Sequence, residues 1–381
     1  MSITSETRAW VEVDLDALRE NLETVRRTVG RDTALIPMVK ANGYGLGAER
    51  VAHALERLEP WAYGVATAEE GAALRRAGIS RPIFVFSPLP PQSYALAAEL
   101  GLTPGISDLT ALERWAEATA SVPGGGDFHI EIDTGMGRCG FDWRETPRWS
   151  AAVRARTSPE LRWTGVFTHF QGADAPDRKA TLTQWQRFED AIDQLPVSRE
   201  DLVVHAQNSA GSLRFPEFGT DAVRPGIFLY GGHPAPDAAD LPAPRPVASV
   251  RARVVLVRDV APGTTVGYGA THVARGWERW GTLGIGYGDG LRRSLGNRGS
   301  AIVHGKRVPI VGRISMDMTV VDLTDVPDVR AGDVATLIGR DGDEEITLQE
   351  VAELADTIGY EILTGLTPRL PRVEREDEAE G

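Results

Sequence analysis

Short runs of β-branched and aromatic residues alternate with longer amphipathic segments throughout the N-terminal half of the chain. This alternation is typical of parallel strands joined by crossover helices, because a parallel pair needs a long connection over one face of the sheet. In one such segment, Leu15, Leu18 and Leu22 recur every three or four residues and so share one helix face. Strands are predicted at Leu35–Val39, Ala62–Val65, Ile83–Phe86, Leu102–Gly105, Phe128–Ile132, Leu161–Phe167, Leu202–His205 and Asp221–Val223. About eight βα units predict a (β/α)8 barrel.

The pattern changes beyond residues 234–246, which are rich in proline and alanine and suit an exposed connector between domains. The periodicity of the following segments approaches two, as in strands divided by glycine-containing turns. Strands are predicted at Val250–Val260, Thr282–Ile285, Ala301–Val303, Val308–Val311, Thr319–Asp322 and Val334–Ile338. A helix is predicted at Leu348–Ile358, because Thr347 and Glu350 have the spacing of a capping box.

The predicted fold class is therefore α/β, with an N-terminal (β/α)8 TIM-like barrel followed by a mainly β C-terminal domain. Residues 10–240 are predicted to form the barrel, and residues 241–373 the second domain. Residues 374–381 are acidic and carry almost no apolar side chains, so we predict a disordered tail there.

Charge and cysteine content exclude several classes of function. The formal net charge of −13 disfavours binding to nucleic acid or to an anionic membrane, since phosphate-rich partners would be repelled. The chain has no run of about 18 apolar residues and no signal peptide at its polar start, so we expect a cytoplasmic protein without a membrane segment. The single cysteine, Cys139, excludes an intrachain disulfide and a multi-cysteine zinc site, and we predict a structural thiol and no bound metal.

Polar residues follow five of the predicted strands. In (β/α)8 barrels the reactive groups gather at the carboxyl ends of the strands, and the loops after strands seven and eight often bind phosphate. We therefore expect these side chains to converge on one mouth of the barrel. They are Lys40, Arg138, His169, Asn208 with Ser209, and Arg224 with Gly226.

Lys40 lies in the segment MVKANGYGLGA, directly after an apolar run. A lysine at the end of a buried strand is partly desolvated, which lowers its pKa and leaves the neutral amine that imine formation needs. Most lysines that follow a strand simply reach into solvent. Here Tyr44 and the glycines at 43, 45 and 47, together with the polar groups after the other strands, favour a site. Ser209 and the backbone at Gly226–Ile227 could donate hydrogen bonds to a phosphate.

A series of segments across the chain resembles the motifs of the alanine racemases, in order, from Trp10 to Arg372. The segments are VKANGYGLG, DTGMGRCGF, THFQGAD, QNSAG, RPGIFLYG, VGYGATH, IGYGDG and VGRISMDM. VKAN and RPG are common to a wider group of pyridoxal-phosphate barrels, whereas VGYGA and SMDM are more specific. The resemblance implies an isomerase that uses pyridoxal 5'-phosphate to interconvert L-alanine and D-alanine and supplies D-alanine for peptidoglycan. It also implies a homodimer whose active sites each combine one barrel with the other chain's β domain.

The resemblance also assigns the two catalytic bases. Lys40 would form the internal aldimine and act as one base, and Tyr268 of the partner subunit would be the second. Racemisation needs two such groups, because a proton leaves one face of a planar carbanion and returns to the other. His169, which is also assigned to the cofactor site, would hold Tyr268 by a hydrogen bond and ease its ionisation.

Further residues are implied as cofactor and substrate ligands. The candidates around the cofactor phosphate are Tyr44, Asn208, Ser209, Gly226 and Ile227. Tyr360 or one of its neighbours is a further candidate, although the motifs there commit no single residue. Arg224 would face the pyridine nitrogen and, being always charged, keep that nitrogen unprotonated, which favours reprotonation of the carbanion over transamination.

The remaining assignments concern the substrate. Met316 of the partner subunit would offer its backbone N–H to the substrate carboxylate, close to Arg138. Supporting roles fall to Glu131, Asp317 and Tyr287, and the family's substrate access route maps onto Tyr287, Arg293, Arg313 and Asp174.

Glu131 departs from the family pattern, since many relatives carry at this place a lysine that becomes carbamylated. A carboxylate has the same charge as a carbamate on a shorter arm. We therefore predict that Glu131 pairs with Arg138, directly or through water.

Two other classes of function remain as alternatives. The first is another enzyme of the same architecture, such as a serine or lysine racemase or a decarboxylase. Decarboxylases of this fold are expected to carry an active-site cysteine in the β domain and an acidic residue at the pyridine nitrogen, whereas here Cys139 lies in the barrel half and Arg224 takes that position. The second is a pyridoxal-phosphate-binding protein without turnover, against which Tyr268 in a full second domain argues.

Overall fold

A computed structural model of the protein describes residues 6–238 and 240–375. The elements of its N-terminal part alternate between strands and helices. They are β1 (Ala9–Val13), α1 (Leu15–Val29), β2 (Ala34–Leu35), α2 (Lys40–Tyr44), α3 (Ala48–Glu56), β3 (Tyr63–Val65), α4 (Ala68–Arg76), β4 (Ile83–Val85), α5 (Tyr94–Glu99), β5 (Thr103–Ile106), α6 (Leu109–Thr119), β6 (Gly126–Asp133), β7 (Phe141–Asp142), α7 (Thr146–Arg154), β8 (Leu161–Phe167), α8 (Lys179–Ile192), β9 (Val203–His205), α9 (Ser209–Arg214) and β10 (Ala222–Val223).

The C-terminal part consists mainly of strands. Its elements are β11 (Ala248–Val260), β12 (Thr265–Val266), β13 (His272–Val273), β14 (Glu278–Leu283), β15 (Ser300–Val303), β16 (Lys306–Pro309), β17 (Thr319–Asp322), β18 (Val334–Asp341), β19 (Glu344–Ile346), α10 (Leu348–Leu354), α11 (Gly359–Thr364) and β20 (Arg372–Glu374).

The barrel is a ring of parallel strands in the order β2-β10-β9-β8-β6-β5-β4-β3. The ring closes between its two end strands, because Met38, just past β2, forms a parallel bridge with Gly64 of β3. Each strand predicted in this half overlaps one of these strands, which confirms the predicted fold class. The first is shorter than expected, since Pro37 has no N–H to donate and interrupts the regular pairing.

The strand β1 lies outside the barrel. It pairs antiparallel with β11, with Val11 opposite Val250, and parallel with β20. The prediction that barrel residues begin at residue 10 is therefore corrected for 10–13, which belong to the sheet of the second half. The reason is that the backbone groups of β1 find their hydrogen-bond partners on both sides, in β11 and in β20, so the strand completes that sheet.

The second half is built on a sheet in the order β16-β15-β18-β11-β1-β20, with β14 bridging β11 and β17. The strands β12 and β13 form a separate two-stranded sheet, and Val266 of β12 packs in a buried cluster with Trp280 of β14. Several predicted elements differ in their bounds. β14 and β16 begin and end earlier than the predicted Thr282–Ile285 and Val308–Val311, and β18 continues beyond Ile338 to Asp341. α10 ends at Leu354 rather than Ile358. The helix stops there because Asp356 has a φ of 55°, in the left-handed region. Thr347 caps it as predicted, accepting from the Glu350 N–H at 3.0 Å.

The chain beyond the second sheet was predicted to be a disordered tail from residue 374. Glu374 is instead the last residue of β20, and the Arg375 N–H donates to the Val13 carbonyl at 3.0 Å. Residues 376–381 lie outside the described residues. One buried apolar cluster extends from Leu18 of α1 through the barrel to Val250 of β11 and so joins the two halves. Within the described ranges, no helix is long and apolar enough to cross a membrane.

Candidate active site

The carboxyl ends of the barrel strands surround a cavity of about 280 Å³. Ten residues singled out from the sequence line it together. They are Lys40, Tyr44, Glu131, Arg138, His169, Asn208, Ser209, Arg224, Gly226 and Ile227. Chain positions that are far apart in sequence thus converge on one mouth, as (β/α)8 geometry requires.

Lys40 opens the short segment α2, whose next three residues, Ala41 to Gly43, wind left-handed. Such a conformation is costly for residues other than glycine and persists only where neighbouring groups hold it. Here Glu70 holds it, because its two carboxylate oxygens accept from the N–H groups of Ala41 at 2.7 Å and Ala66 at 2.8 Å. The turn directs Lys40 into the cavity.

Burial lowers the pKa of Lys40, and the positive charges of Arg138 and Arg224 lower it further, while Glu70 acts in the opposite direction. The neutral amine, which is the nucleophilic form, is therefore more accessible here than on a solvent-exposed lysine.

Tyr44 and Gly226 fit against each other on the cavity wall. The Tyr44 ring stacks on Tyr230 with centroids 4.5 Å apart, and the Tyr230 hydroxyl donates to the Met38 carbonyl at 2.8 Å. A Cβ atom at Gly226 would lie 2.3 Å from the Tyr44 hydroxyl oxygen. Only glycine fits at this position while Tyr44 keeps its place.

Ser209 lies at the start of α9, beside this wall. Its Oγ accepts from the backbone N–H groups of Gly226 at 2.7 Å and Phe228 at 3.3 Å. Because Oγ already accepts twice, the hydroxyl proton is available to an acceptor in the cavity. The neighbouring Asn208 caps α9, with Oδ1 accepting from the Gly211 N–H at 2.9 Å.

Arg224 is buried at the base of the cavity, and neutral acceptors hold its guanidinium. Its Nη1 contacts His205 Nδ1 at 2.7 Å, and Nη2 donates to the carbonyls of Thr168 at 2.8 Å and Ala206 at 3.0 Å. Its guanidinium lies 5.3 Å from the ring centre of Phe86. No carboxylate forms an ion pair with it in the described part of the chain. Burial lowers the pKa of Arg224 to about 10, so it stays cationic at neutral pH.

His169 is a further cavity residue, half-buried, with Nδ1 3.4 Å from Arg224 Nη2. Burial, followed by the charge of Arg224, lowers the pKa of His169 to about 3. Its imidazole is therefore neutral near pH 7 and can accept or donate one hydrogen bond towards the cavity.

Glu131 is 5% exposed and accepts from Ser107 Oγ at 3.0 Å through Oε2. Burial raises its pKa, although the Ser107 hydrogen bond and the charges of Arg138 and Arg224 act against this. Glu131 and Arg138 share the cavity, but among the described residues they form no direct ion pair. The direct contact predicted between them is thus not formed, and the contact through water stays a prediction.

The residues singled out in the second half lie outside the cavity of their own chain. Tyr268 is in the loop of the β12–β13 hairpin and is 69% exposed, and Met316 is 53% exposed. Met316 and Asp317 form a turn that packs on the Tyr287 segment, since the Gly288 N–H donates to the Met316 carbonyl at 2.8 Å. Arg369 fixes Asp317 Oδ1 at 2.6 Å.

Eight cavity residues were not selected as ligands from the sequence. They are Met38, Ala66, Phe86, Ser87, Pro88, Cys139, Phe167 and Tyr360. Cys139 directly follows Arg138, and this adjacency is a signal that could have found it. Tyr360 comes from α11 of the second half, with its ring centre 6.2 Å from that of Tyr44. No local pattern marks it, because its proximity depends on how the two halves pack.

A second cavity of about 750 Å³ adjoins the first at the junction between the two halves. Ile227 and Tyr360 line both cavities, and Asp174 lines the second. The arrangement brings one member of the predicted access route, Asp174, next to the mouth of the barrel.

Comparison with known proteins matches both halves of the chain to one family. The family model for the alanine racemase N-terminal domain matches residues 13–234, and that for the alanine racemase C-terminal domain matches residues 247–374. The alanine racemase of Halothermothrix orenii is 38% identical over 95% of this chain and 96% of its own length. Alanine racemase 2 of Bacillus subtilis is 39% identical over 95% of this chain and 93% of its own length.

Solved structures show the same relationship in three dimensions. The crystal structure of alanine racemase from E. faecalis has a TM-score of 0.91 and 33% sequence identity, covering 98% of this chain and 100% of that one. Alanine racemase from Bartonella henselae, with covalently bound pyridoxal phosphate, has a TM-score of 0.87 and 30% identity, covering 97% of this chain and 100% of that one. On its sequence, its barrel and its second domain, the chain belongs to the alanine racemase family of isomerases.

Proposed function

We propose that the protein holds pyridoxal 5'-phosphate through Lys40 and interconverts L-alanine and D-alanine. The observation that carries the proposal is the cavity itself, in which the half-buried Lys40 amine, with its lowered pKa, lies near the buried Arg224. Within the described residues Arg224 forms no ion pair with a carboxylate, and the charge of Glu131 acts on it only from beyond contact distance. An aldehyde on a ring with an unprotonated nitrogen matches both features, because the amine can attack the aldehyde and the nitrogen can accept from the arginine. The solved relative with covalently bound pyridoxal phosphate supports the choice of cofactor.

The donors on the cavity wall fit the phosphate group. Ser209 has a free hydroxyl proton, Tyr44 presents its hydroxyl, and Gly226 lacks the side chain that would close the space between them. The Gly226 N–H already donates to Ser209 Oγ. The backbone N–H of Ile227, at the start of a short 3-10 helix, is therefore the donor that this segment adds. We propose that these groups bind the phosphate and that Arg224 faces the ring nitrogen.

When bound, the cofactor would delocalise the electron pair that is left on the substrate Cα after its proton is removed. The residues of the chain must then handle that proton on two faces. Lys40 Nζ serves one face. Tyr268 of the partner subunit serves the other, with its phenolic oxygen accepting the proton or returning it.

The exposure of Tyr268 supports a shared site in a homodimer. Tyr268 is 69% exposed in the β12–β13 loop and is not among the described residues that line the barrel cavity of its own chain. Met316 lies on another exposed turn, and its backbone N–H makes no hydrogen bond within the described residues. We propose that Met316 of the partner subunit and Arg138 bind the substrate carboxylate, while Tyr287 and Asp317 support the turn.

The role in the cell follows from the reaction. D-alanine produced by this chain would supply peptidoglycan, as the sequence resemblance implies. The cytoplasmic location stays a prediction from the sequence.

Chiral analysis after incubation of the pure holoenzyme with L-alanine, L-serine and L-lysine separately tests the substrate. We expect loss of optical purity with L-alanine. Racemisation of serine or lysine in its place would reassign the substrate, and turnover of none of them would favour a binding protein without catalysis.

The cofactor assignment has an independent optical test. We expect a Schiff-base absorption band in the wild-type protein, and we expect Lys40→Ala to abolish it. A protein that stays colourless with added cofactor would contradict the assignment, and so would a band that survives in the variant.

The two-base assignment is tested with Tyr268→Phe. We expect the exchange of the Cα proton to be slowed more for L-alanine than for D-alanine, because each base serves one face. Equal effects on the two isomers would contradict it.

A further inference from the structure

Below Arg224, the barrel contains two histidines that the proposed reaction does not use. His205 on β9 and His129 on β6 are both fully buried. Arg224 Nη1 lies 2.7 Å from His205 Nδ1, and His205 Nε2 lies 2.7 Å from His129 Nδ1. The three side chains form one line of hydrogen bonds that runs from the cavity into the barrel core.

The chemistry of the arginine fixes the direction of this line. A guanidinium only donates hydrogen bonds, so His205 Nδ1 must be the acceptor and His205 carries its proton on Nε2. That N–H then donates to His129 Nδ1, and His129 must present an unprotonated Nδ1. Each histidine therefore has a single tautomer compatible with the contacts.

Both rings stay neutral, which the line requires. Burial and then the charge of Arg224 lower the pKa of His129 to about 3 and that of His205 well below its ordinary value. A second proton on either ring would convert its accepting Nδ1 into a donor. That N–H would then face the N–H group that now donates to it.

The surroundings leave room for an imidazole at position 129. A Cβ atom at Gly165 would lie 2.4 Å from His129 Cε1, so the absence of a side chain on β8 creates the space for the ring. Phe84 packs on the same ring with centroids 4.6 Å apart.

We propose that His129 is a positioning residue: by accepting the His205 Nε2–H it fixes the tautomer of His205, and thereby keeps Nδ1 free to hold Arg224 aimed at the cofactor. The aiming of Arg224 at the cofactor rests on the proposed function, whereas the hydrogen bonds among the three side chains do not. Without an acceptor at position 129, His205 would keep a buried donor without a partner. His205 would avoid the unpaired donor by carrying its proton on Nδ1 instead of Nε2. The Nδ1–H would then face an N–H of Arg224, and the hydrogen bond between the two side chains would be lost.

A pair of variants separates this role from simple core packing. In His129→Asn the side-chain oxygen takes the place of Nδ1, one bond beyond Cγ, and still accepts. In His129→Leu the site is filled but has no acceptor. Packing alone predicts that leucine is tolerated at least as well as asparagine, since a buried apolar group needs no partner.

The cofactor readouts are the absorption spectrum of the holoenzyme across pH, the dissociation constant of pyridoxal 5'-phosphate, and the ratio of pyruvate formed to alanine racemised. We expect His129→Leu to weaken cofactor binding roughly tenfold or more and to raise the pyruvate ratio, as for a lost hydrogen bond to a charged group. His129→Asn should stay within about threefold of wild type by the same reasoning. Phe84→Leu, which removes a ring contact and no hydrogen bond, is the packing control and should keep the wild-type spectrum.

A measurement on the imidazoles keeps the outcome independent of the cofactor. NMR spectra of protein with 15N-labelled histidine report the protonation of each ring nitrogen, and only seven histidines contribute signals. His205 should show a protonated Nε2 in wild type and in His129→Asn. In His129→Leu the proton should move to Nδ1. Retention of the Nε2 tautomer in the leucine variant, or equal cofactor binding by both variants, would overturn the proposal. A wild-type protein that shows the expected tautomer but binds no cofactor would instead reject the proposed function and keep the hydrogen-bonded line.

Discussion

At the residue scale, the cavity depends on a missing side chain and a missing ion-pair partner as well as on the residues that line it. Gly226 has no side chain where one would collide with Tyr44, and Arg224 has no carboxylate partner within the described residues. Both features open the cavity to an anionic, planar ligand. Two carboxylates whose charges act on the site, Glu70 on Lys40 and Glu131 on Arg224, are each engaged by N–H or O–H donors.

Gly226→Ala should weaken cofactor binding, because the new methyl group would meet the Tyr44 hydroxyl at 2.3 Å. We expect a loss of about tenfold or more in affinity, comparable to 1–3 kcal/mol of overpacking strain. Titration of the absorption band with pyridoxal 5'-phosphate measures it. Adding Tyr44→Phe should recover part of the loss, since the nearest colliding atom is then absent. Gly276→Ala, where a Cβ atom meets nothing within 4 Å, is the control. Wild-type affinity in Gly226→Ala would contradict the prediction, because it would show that Tyr44 moves aside to accommodate the methyl group.

Glu131→Gln should raise the KM for alanine with little change in cofactor binding, because it removes the anion that acts on Arg138 while keeping the shape and the Ser107 contact. Steady-state kinetics in both directions, alongside cofactor titration, separate the two effects. Kinetics identical to wild type would remove Glu131 from the substrate site.

At the element scale, the left-handed turn of α2 is the part most dependent on its neighbours. Ala41, Asn42 and Tyr44 all have φ between 52° and 55°. The turn is held from α4 by the Glu70 carboxylate and from within by Asn42 Oδ1, which accepts from the Ala48 N–H at 3.0 Å. A helix that is not part of the cavity therefore determines where Lys40 lies.

Glu70→Gln should loosen this turn, because an amide offers one acceptor where two backbone N–H groups need one each. We expect a destabilisation of about 1–3 kcal/mol. Removal of the negative charge should also lower the pKa of Lys40 further, because Glu70 is the group that raises it. The pH dependence of cofactor attachment and a urea titration report the two effects. Glu69→Gln, on the exposed side of the same turn of helix, is the matched control. If both variants behave alike, the carboxylate does not hold the turn.

At the scale of the whole molecule, buried neutral histidines link stability to pH. Burial lowers the folded-state pKa of His129 and His169 to about 3, whereas the unfolded value is near 6.5. Between these values the unfolded chain binds more protons, so stability falls as the pH is lowered through this window. Between pH 6.5 and the folded-state pKa, each such histidine lowers the free energy of unfolding by about 1.4 kcal/mol for each pH unit.

His129→Leu should therefore flatten the acid dependence of stability, whatever its effect at pH 7. Urea midpoints at pH 6.5, 5.5 and 5.0, at fixed protein and cofactor concentration, give the slope for wild type and variant. Other titrating groups are common to both proteins, so the difference between the slopes reports His129. Parallel slopes would mean that His129 is already charged in the folded protein.

Subunit complementation tests the shared site of the proposed homodimer. Lys40→Ala and Tyr268→Phe are each expected to be nearly inactive. After the two are mixed and their subunits exchanged, half of the dimers carry one intact site, which should restore about a quarter of wild-type activity. Mixing under conditions that prevent exchange is the control. No recovery in a demonstrated heterodimer would place both residues in the same subunit's site.

The sequence by itself determined the order of strands and helices in the barrel, because hydrophobic periodicity is a local property. It also placed Lys40, Ser209 and Arg224 at one mouth, since a parallel barrel puts every strand's carboxyl end on the same face. The family motifs added Tyr268 and Met316.

Only the tertiary structure decided features that depend on partners distant in the chain. The pairing of β1 with β11 and β20, the place of Tyr360 on the cavity wall and the line from Arg224 through His205 to His129 all join segments from different parts of the sequence. No local pattern encodes them, because they arise from how the packed halves meet and from which buried polar groups find an acceptor there.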